Sequence, residues 1–549
     1  MLHAARLTWL VLVIALISVG RAGAIDLSAD EPDRELAARD SVLYAYNGMI
    51  VDSIIIDNRN IFDTGDPEYA NFVFRLANRL NIVTREHVIR REVLLEAGEP
   101  FQAELARETA RNIRSDYSIY DAWWEIEKTG QRHVAATLIT IDQWSLTGGV
   151  VVQSEGDETD FEIGFEEENF LGLNQYLALE YEIQEKDDNF FEARFRDRRI
   201  FGYDYSLGFR YKDDPTDEVR EISFGRPFYN LEQNWSFAVS VSRKGARRDV
   251  YDDGSRLLAR STSGGDAAGV EAAYRWGSYL HKTGVKLSYE YNYETTSDRQ
   301  VVEGVDPSDV SFPDDSLNHT LRTGMFLQNL EFITTRRING IQQIEDVQLG
   351  QSLALYLGRA FRSEINSYDY DLVEFEGAIT QRFGYNLLSL TYNRQFWFRK
   401  RNDLRRVSQI SLRYYNNRIS FVTLAGRAAF TRDWRSDSSA RLELGGATGL
   451  RGFPRRFRVG DRLMVMNLET RWYPGIELWS VLVGGVAFMD FGRVWKPGQA
   501  TSLEDFQTTV GLGLRISLEK ASKARILRVD VSQDEDNRWQ FSFGTGQYF

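Results

Sequence analysis

Residues 285–294 read VKLSYEYNYE. Val285, Leu287, Tyr289, Tyr291 and Tyr293 alternate there with Lys286, Ser288, Glu290, Asn292 and Glu294. Successive side chains of a strand point to opposite faces, so this period of two predicts a strand with one apolar and one polar face. The same alternation runs through Tyr203–Lys212, Trp235–Ser242 and Val510–Leu518, and it prevails from Ser145 to Phe549. A soluble sandwich also alternates, but it turns its polar face to bulk solvent. Here the polar parity carries charges such as Arg515, Arg528 and Asp530, which suits a wet lumen.

Connector lengths point the same way. Gly384–Asn386, Asn416–Asn417 and Pro474–Gly475 read as short turns, and Lys244–Gly265, Thr295–Ser316 and Gly492–Asp505 as long polar loops. Short turns at one end and long loops at the other mark an outer-membrane barrel, which must close because lipid satisfies no open sheet edge. Counting segments from Ser145 gives about 20 strands, an even number that brings both barrel ends to the same side.

Composition agrees. The 549 residues are 43% hydrophobic with a mean hydropathy of −0.39, too polar for a helical membrane protein. The 26 Tyr, 12 Trp and 43 Gly against 10 Pro suit a sheet with aromatic girdles. A net charge of −14 argues against nucleic acid as a partner, which requires a basic face. The absence of cysteine excludes disulfides and thiolate metal sites, and five scattered histidines offer no metal spacing. No nucleophile–base pair and no phosphate loop appears. The chain therefore reads as a non-enzyme with no cofactor and no metal.

The N-terminal part is organised differently. Arg6, the apolar run Leu7–Val19 and the small residues Ala22–Ala24 read as a signal peptide over 1–24, directing export. Residues 25–43 are acidic, lack a hydrophobic period, and read as a linker. Over 44–143 the pattern becomes β-α-α-β-β. It comprises the β-branched run Val51–Ile56, a helical period through Phe72, Leu76 and Leu80, an extended basic stretch Thr84–Leu95, a helix near Glu104–Ser115, and strands Ile119–Glu127 and His133–Ile141. This order resembles the POTRA domain, as do the segments TREHVIRREVLLEAGEPF and LARETARNIR. The resemblance implies a small α+β periplasmic module that receives unfolded clients by strand addition. The barrel would then occupy 145–549.

Two barrel segments carry the most specific signals. A loop over Thr431–Asp461 contains GGATGLRGF, in which Gly449, Arg451, Gly452 and Phe453 stand together. Downstream, VAFMDFGRVW places Phe488, Asp490 and Gly492 on one parity. A guanidinium lowered into the lumen by the loop could bind Asp490 bidentately. These motifs, with EENFLGLNQ near the barrel start, resemble the BamA/TamA-type outer-membrane assembly superfamily. The resemblance implies that Arg451 anchors the loop inside the barrel, with Phe488 and Asp490 on the receiving wall. It also implies 16 strands, four fewer than the direct count, and several POTRA domains where this chain has room for one.

Closure brings the first strand to the last. Gly148 and Gly149 on one side, and Gly544 and Gly546 on the other, predict a weak seam, since glycine packs no side chain. Trp539, Phe541, Phe543 and Phe549 share a parity, so the final strand is expected to face lipid as far as Phe549. Ser542, Gly544 and Phe549 resemble the C-terminal signal by which such barrels are themselves assembled. The sequence thus reads as an all-β transmembrane antiparallel barrel of the bacterial outer membrane behind one periplasmic α+β domain. Its expected function is protein assembly and insertion through the seam, the alternatives being a polypeptide translocator and a passive barrel. Expected partners are outer-membrane lipids, unfolded outer-membrane or secreted clients, and periplasmic accessory proteins.

Overall fold

The computed structural model describes residues 34–549, apart from 116–117, 156–157, 184–188, 215–216, 252–256, 311, 313, 366–368, 401, 436–441, 455–456, 479, 519 and 522–525. The signal-peptide reading of 1–24 and the first part of the linker lie outside the described residues.

The small domain contains helix α1 (Arg34–Val42), strand β1 (Ile50–Arg59), helices α2 (Phe72–Leu80), α3 (Glu86–Arg90) and α4 (Ala103–Arg114), and strands β2 (Ile119–Lys128) and β3 (His133–Asp142). The sheet order is β1-β3-β2, with β1 parallel and β2 antiparallel to β3. On α4, Ala103, Ala106, Ala110 and Ile113 recur at helical spacing and pack with Val51, Phe101, Trp124, Val134 and Leu138. The Trp124 indole N–H donates to the Ala106 carbonyl at 2.8 Å, which satisfies its polar edge in the core.

Two local readings are corrected here. Residues 34–43 are helical and not a linker. Leu36 and Leu43, two turns apart, are buried, and Arg39 pairs with Asp121 at 3.0 Å. Leu36, Val42 and Leu43 are the large apolar residues of these ten, too few to register as a period. Within Thr84–Leu95, Glu86–Arg90 forms a helical turn that buries Val88 and Ile89.

Every barrel pair whose register is described is antiparallel, and the closed strand order sets the last strand (Trp539–Thr545) beside the first (Leu146–Glu155). Segments Ser316–Asn329 and Glu331–Thr335 pair with Glu345–Phe361 in one unbroken register, so they occupy a single position. Among the described residues the ring has twenty strand positions, in line with the direct count of about 20 and not the 16 implied by resemblance. Outward residues such as Ile163, Val241, Leu287, Met325, Leu355 and Leu512 are exposed, forming an apolar outer belt. Asn467, Glu469, Arg471, Asp490, Arg515 and Asp530, on the inward parity, are buried in the lumen. That division is what a membrane-spanning barrel requires.

The connectors differ from expectation in three places. Lys244–Gly265 is largely strand, whereas Thr295–Ser316 is strand only over 295–301 and at Ser316 and otherwise forms the long connector expected. Hairpins Trp235–Tyr251/Leu257–Gly277 and Leu257–Gly277/His281–Val301 continue their registers well past the apolar belt. At about 3.3 Å per residue such strands exceed the ~25 Å belt, so their distal halves can carry polar residues on both faces. Asn416–Asn417 lies within Asn402–Ile419, and the turn falls at 420–421. Pro474–Gly475 is a bulge inside Arg462–Leu478, with Gly475 at φ +75°. Proline has no N–H for a ladder, so it fits a bulge.

The small domain docks against the turn end of the barrel. Arg114 forms a bidentate pair with Asp346 at 2.8 and 2.6 Å, and Arg199 a second with Glu92 at 2.8 and 2.7 Å. Glu108 accepts from the Leu231 amide at 2.7 Å and from the Tyr279 hydroxyl. The Asp142 carboxylate accepts from the Thr84 amide at 2.6 Å, while Asn169 of a barrel turn donates to the Ile82 carbonyl at 2.8 Å.

Candidate functional site in the barrel lumen

The loop between Val422–Arg435 and Arg462–Leu478 folds inward. Leu442–Leu444 and Arg458–Gly460 pair as a short hairpin, and the tip between them enters the lumen. Leu444, Leu450 and Phe453 pack with Val465 and Ala429, so the tip has its own apolar anchor. Gly449 at φ +125° lies so close to Val465 that a Cβ would meet its Cγ1 at 2.8 Å. Gly452 at φ +82° passes over Ser532. Both glycines are needed for conformation, and Gly449 also for close approach.

Between them stands Arg451, buried with its partners. Its Nε and Nη2 donate to the two oxygens of Asp490, each at 2.7 Å, and Nη1 donates to Glu469 at 2.6 Å. The guanidinium lies between two rings, 3.6 Å from the Phe488 centroid and 4.1 Å from that of Tyr548. Asn467 donates to Asp490 at 2.9 Å and to the Gly449 carbonyl at 2.8 Å, tying loop backbone to wall. Arg471 holds the other oxygen of Glu469 at 2.7 Å, and Arg515 pairs with Asp530 at 2.6 Å. Gly492, on the parity of Asp490, gives room to Leu444 of the loop, since a Cβ there would meet Leu444 at 2.6 Å. A planar cation with donors on several edges can hold two carboxylates and stack on aromatics at once; a lysine cannot.

The structure thus brings Gly449, Arg451, Gly452, Phe453, Phe488, Asp490 and Gly492 together. The sequence reading missed Asn467, Glu469 and Arg471, although N-x-E-x-R at strand spacing was a legible sign of a polar inward face. It also missed Tyr548, for which no local signal exists.

The chain end corrects a further expectation. The final strand stops at Thr545. Trp539, Phe541 and Phe543 face outward and are exposed, but Gly546 at φ +75° turns the chain into the lumen. Gln547 Nε2 donates to the Tyr473 hydroxyl at 2.6 Å, and the Tyr548 hydroxyl donates to the Gly446 carbonyl at 2.7 Å. Phe549 packs with Ile338, Leu387 and Tyr415, and the Arg471 guanidinium lies 5.2 Å from its ring. Phe549 therefore does not share the lipid face of the last strand, and Gly546 lies past the seam ladder. Of the other seam glycines, Gly148 and Gly149 sit opposite Phe165 and Gly164, and Gly544 opposite Arg528. A Cβ at Gly544 would strike the Arg528 guanidinium, which lies 4.8 Å from the Tyr548 ring. Ser542 is on the last strand, opposite Asp530.

The turn over 336–344 also enters the lumen. Ile338 and Ile341 are buried, and the Ile338 carbonyl accepts from Arg471 at 2.7 Å. Loop, turn and chain end together fill one side of the barrel. On the other, a cavity of about 550 Å³ remains, lined by Ser223, Glu271, Lys286, Tyr356 and Glu376 among others.

Fold and site together define a membrane-spanning β-barrel with an inward-folded, charge-anchored loop and one α+β domain at its turn end. No protein family and no curated protein matches the sequence. Among solved structures, CdiB from Acinetobacter baumannii is similar at 12% identity and a TM-score of 0.42, over 91% of this chain and 74% of that one. CdiB from Escherichia coli is similar at 13% identity and 0.41, over 96% and 88%. BamA from Haemophilus ducreyi lacking POTRA domains 1-3 is similar at 13% identity and 0.33, over 90% and 84%. BamA gives its name to the superfamily that the loop and strand motifs resemble.

Proposed function

We propose that this protein assembles or inserts other proteins into the bacterial outer membrane through its barrel seam, with the small domain in the periplasm. The observation that carries the reading is the last strand. It spans only seven residues before Gly546 turns the chain inward, so little main-chain pairing holds it in the wall. A short ladder next to a glycine-bearing first strand opens at low cost, and an opened edge templates an incoming strand by backbone hydrogen bonds. The small sheet supports capture of the client, because β2 is an edge strand in the order β1-β3-β2. The loop, the 336–344 turn and the chain end obstruct one side of the lumen, which favours a lateral route over an axial one.

The second reading, a translocator that passes a partner polypeptide through the lumen, is favoured by the cavity on the opposite wall, whose mixed lining includes Glu271, Lys286 and Glu376. Depletion followed by outer-membrane proteomics separates the two. General loss of barrel proteins supports insertion, loss of one surface protein supports translocation, and no change supports a passive barrel. A disulfide introduced across the seam adds a mechanistic test on this cysteine-free chain. Undiminished client assembly with the seam locked would falsify lateral insertion.

A further inference from the structure

Helix α2 carries an apolar stripe that the fold leaves uncovered. At 100° per residue, Phe72, Leu76, Leu80 and Val73 fall within an arc of about 100° on its surface, and they are 69%, 40%, 61% and 44% exposed. The helix buries only Phe74, which packs on Phe62 and Tyr69 with ring centroids 4.6 and 5.1 Å away. Arg75 and Arg79 border the stripe. Asn71 caps the helix by accepting from the amides of Val73 and Phe74, so it is a formed element and not a frayed turn. An uncovered apolar stripe of this kind marks an interaction surface.

Its position names the occupant. After the helix, the Ile82 carbonyl accepts from Asn169 at 2.8 Å and the Arg85 amide donates to Gly172 at 3.0 Å. That turn joins the second and third barrel strands, whose Ile163, Phe165, Leu179 and Tyr181 belong to the outer apolar belt. Before the helix, the Lys520 ammonium lies over the rings of Phe62 and Tyr69 at 5.1 and 4.6 Å. Lys520 belongs to the turn joining Gln507–Leu518 to Ile526–Asp534, whose Leu514, Leu518 and Leu527 also face outward. The seam lies between these two turns, and the Trp144 amide donates to the Lys520 carbonyl at 2.7 Å beneath it. Both ends of α2 are therefore fixed to the foot of the lipid-facing wall, on either side of the seam.

We infer that α2 is a membrane-interface helix, its apolar stripe lying in the adjacent lipid leaflet at the base of the seam. The inference rests on the membrane placement proposed above. An apolar face bordered by arginines is the composition that seats a helix between acyl chains and anionic headgroups. Nine residues would bind lipid weakly alone, but attachment to an embedded barrel makes the event intramolecular and raises its effective concentration. Lipid seated there would hold the small domain against the barrel and place an apolar wedge where the seam meets the bilayer.

The absence of native cysteine permits single nitroxide labels on the full chain. Leu76→Cys reports the stripe, Met325→Cys the barrel belt, and Glu125→Cys the water-exposed surface of the small domain. The protein is reconstituted in vesicles of phosphatidylethanolamine and phosphatidylglycerol. Collision rates are then measured with oxygen, which partitions into lipid, and with a water-soluble nickel chelate. The expected result is an oxygen-to-nickel ratio at Leu76 several-fold above that at Glu125 and shifted toward that at Met325. A ratio at Leu76 equal to that at Glu125 overturns the inference, as does shielding from both agents, which would mean a protein partner or second copy covers the stripe. A water-like ratio at Met325 would instead sink the membrane-barrel reading itself. As a second variant, Leu80→Glu, at an exposed position, should return a label at Leu76 toward water.

Discussion

Arg451 concentrates most of the lumen's electrostatics in one side chain. Its two carboxylate partners are fully buried, so Arg451→Ala would leave Glu469 and Asp490 facing each other without the shared cation. Breaking a buried pair from one side costs roughly 3–5 kcal/mol. The expected outcome is a lower temperature for loss of the compact gel mobility of the folded barrel, together with new protease cleavage in the 442–460 loop. Arg451→Lys should fall between, since an ammonium keeps the charge but neither the bidentate bond nor the stack on two rings. Asp142 gives a residue-scale prediction of a different kind. Burial pushes its carboxyl from 3.8 up to about 7. Between those values the folded protein holds a proton that the unfolded chain has released, so stability falls as pH rises through that window and levels off above it. Thermal unfolding of the small domain followed from pH 4 to 8 should show that decline, and Asp142→Asn should flatten it. The Arg451–Asp490 pair was legible in the sequence because each residue stands in a glycine-marked motif. Asp142 was not, because nothing local shows that it will be buried under Thr84.

Two elements meet at that arginine, the loop tip and the chain end. Gly449 holds a left-handed conformation and touches Val465, so Gly449→Ala adds strain and a clash together. It should raise protease sensitivity of the loop without altering the outer belt. Tyr548 forms one of the two rings on Arg451, and its hydroxyl reaches the loop backbone. Removal of residues 546–549 deletes a buried cation–π contact, worth about 2 kcal/mol, together with that hydrogen bond. It should loosen the same loop although no loop residue has changed, and limited proteolysis of the truncated protein in detergent checks this. The alternating parity of Trp539, Phe541 and Phe543 could be read directly. The inward turn at Gly546 could not, because Phe549 keeps the same sequence parity whether or not the strand continues.

On the scale of the whole molecule, the small domain is fastened to the barrel mainly by charged and polar contacts. Arg114 and Asp346 have little exposure and pair bidentately, so this contact is stronger than a surface ion pair. Arg114→Ala should shorten the time for which the two units stay protected together in hydrogen exchange at β2 and at 336–346, while the barrel keeps its compact gel mobility. Locking the seam by disulfide belongs to the same scale, because it asks whether the barrel works by opening its wall.

By itself the sequence determined that the chain forms a barrel, that about twenty strands build it, and which parity faces lipid. Each of these follows from a period of two repeated over hundreds of residues, a local property that packing does not overrule. It also marked Gly449, Arg451 and Asp490 as special. Only the tertiary structure decided that Glu469 and Tyr548 complete the arginine's surroundings, that Phe549 lies inside the barrel, that 34–43 is helix, and that the apolar stripe of α2 faces outward beside the seam. Those outcomes depend on contacts between residues far apart in the chain, and the same local pattern is compatible with either arrangement until the barrel closes around it.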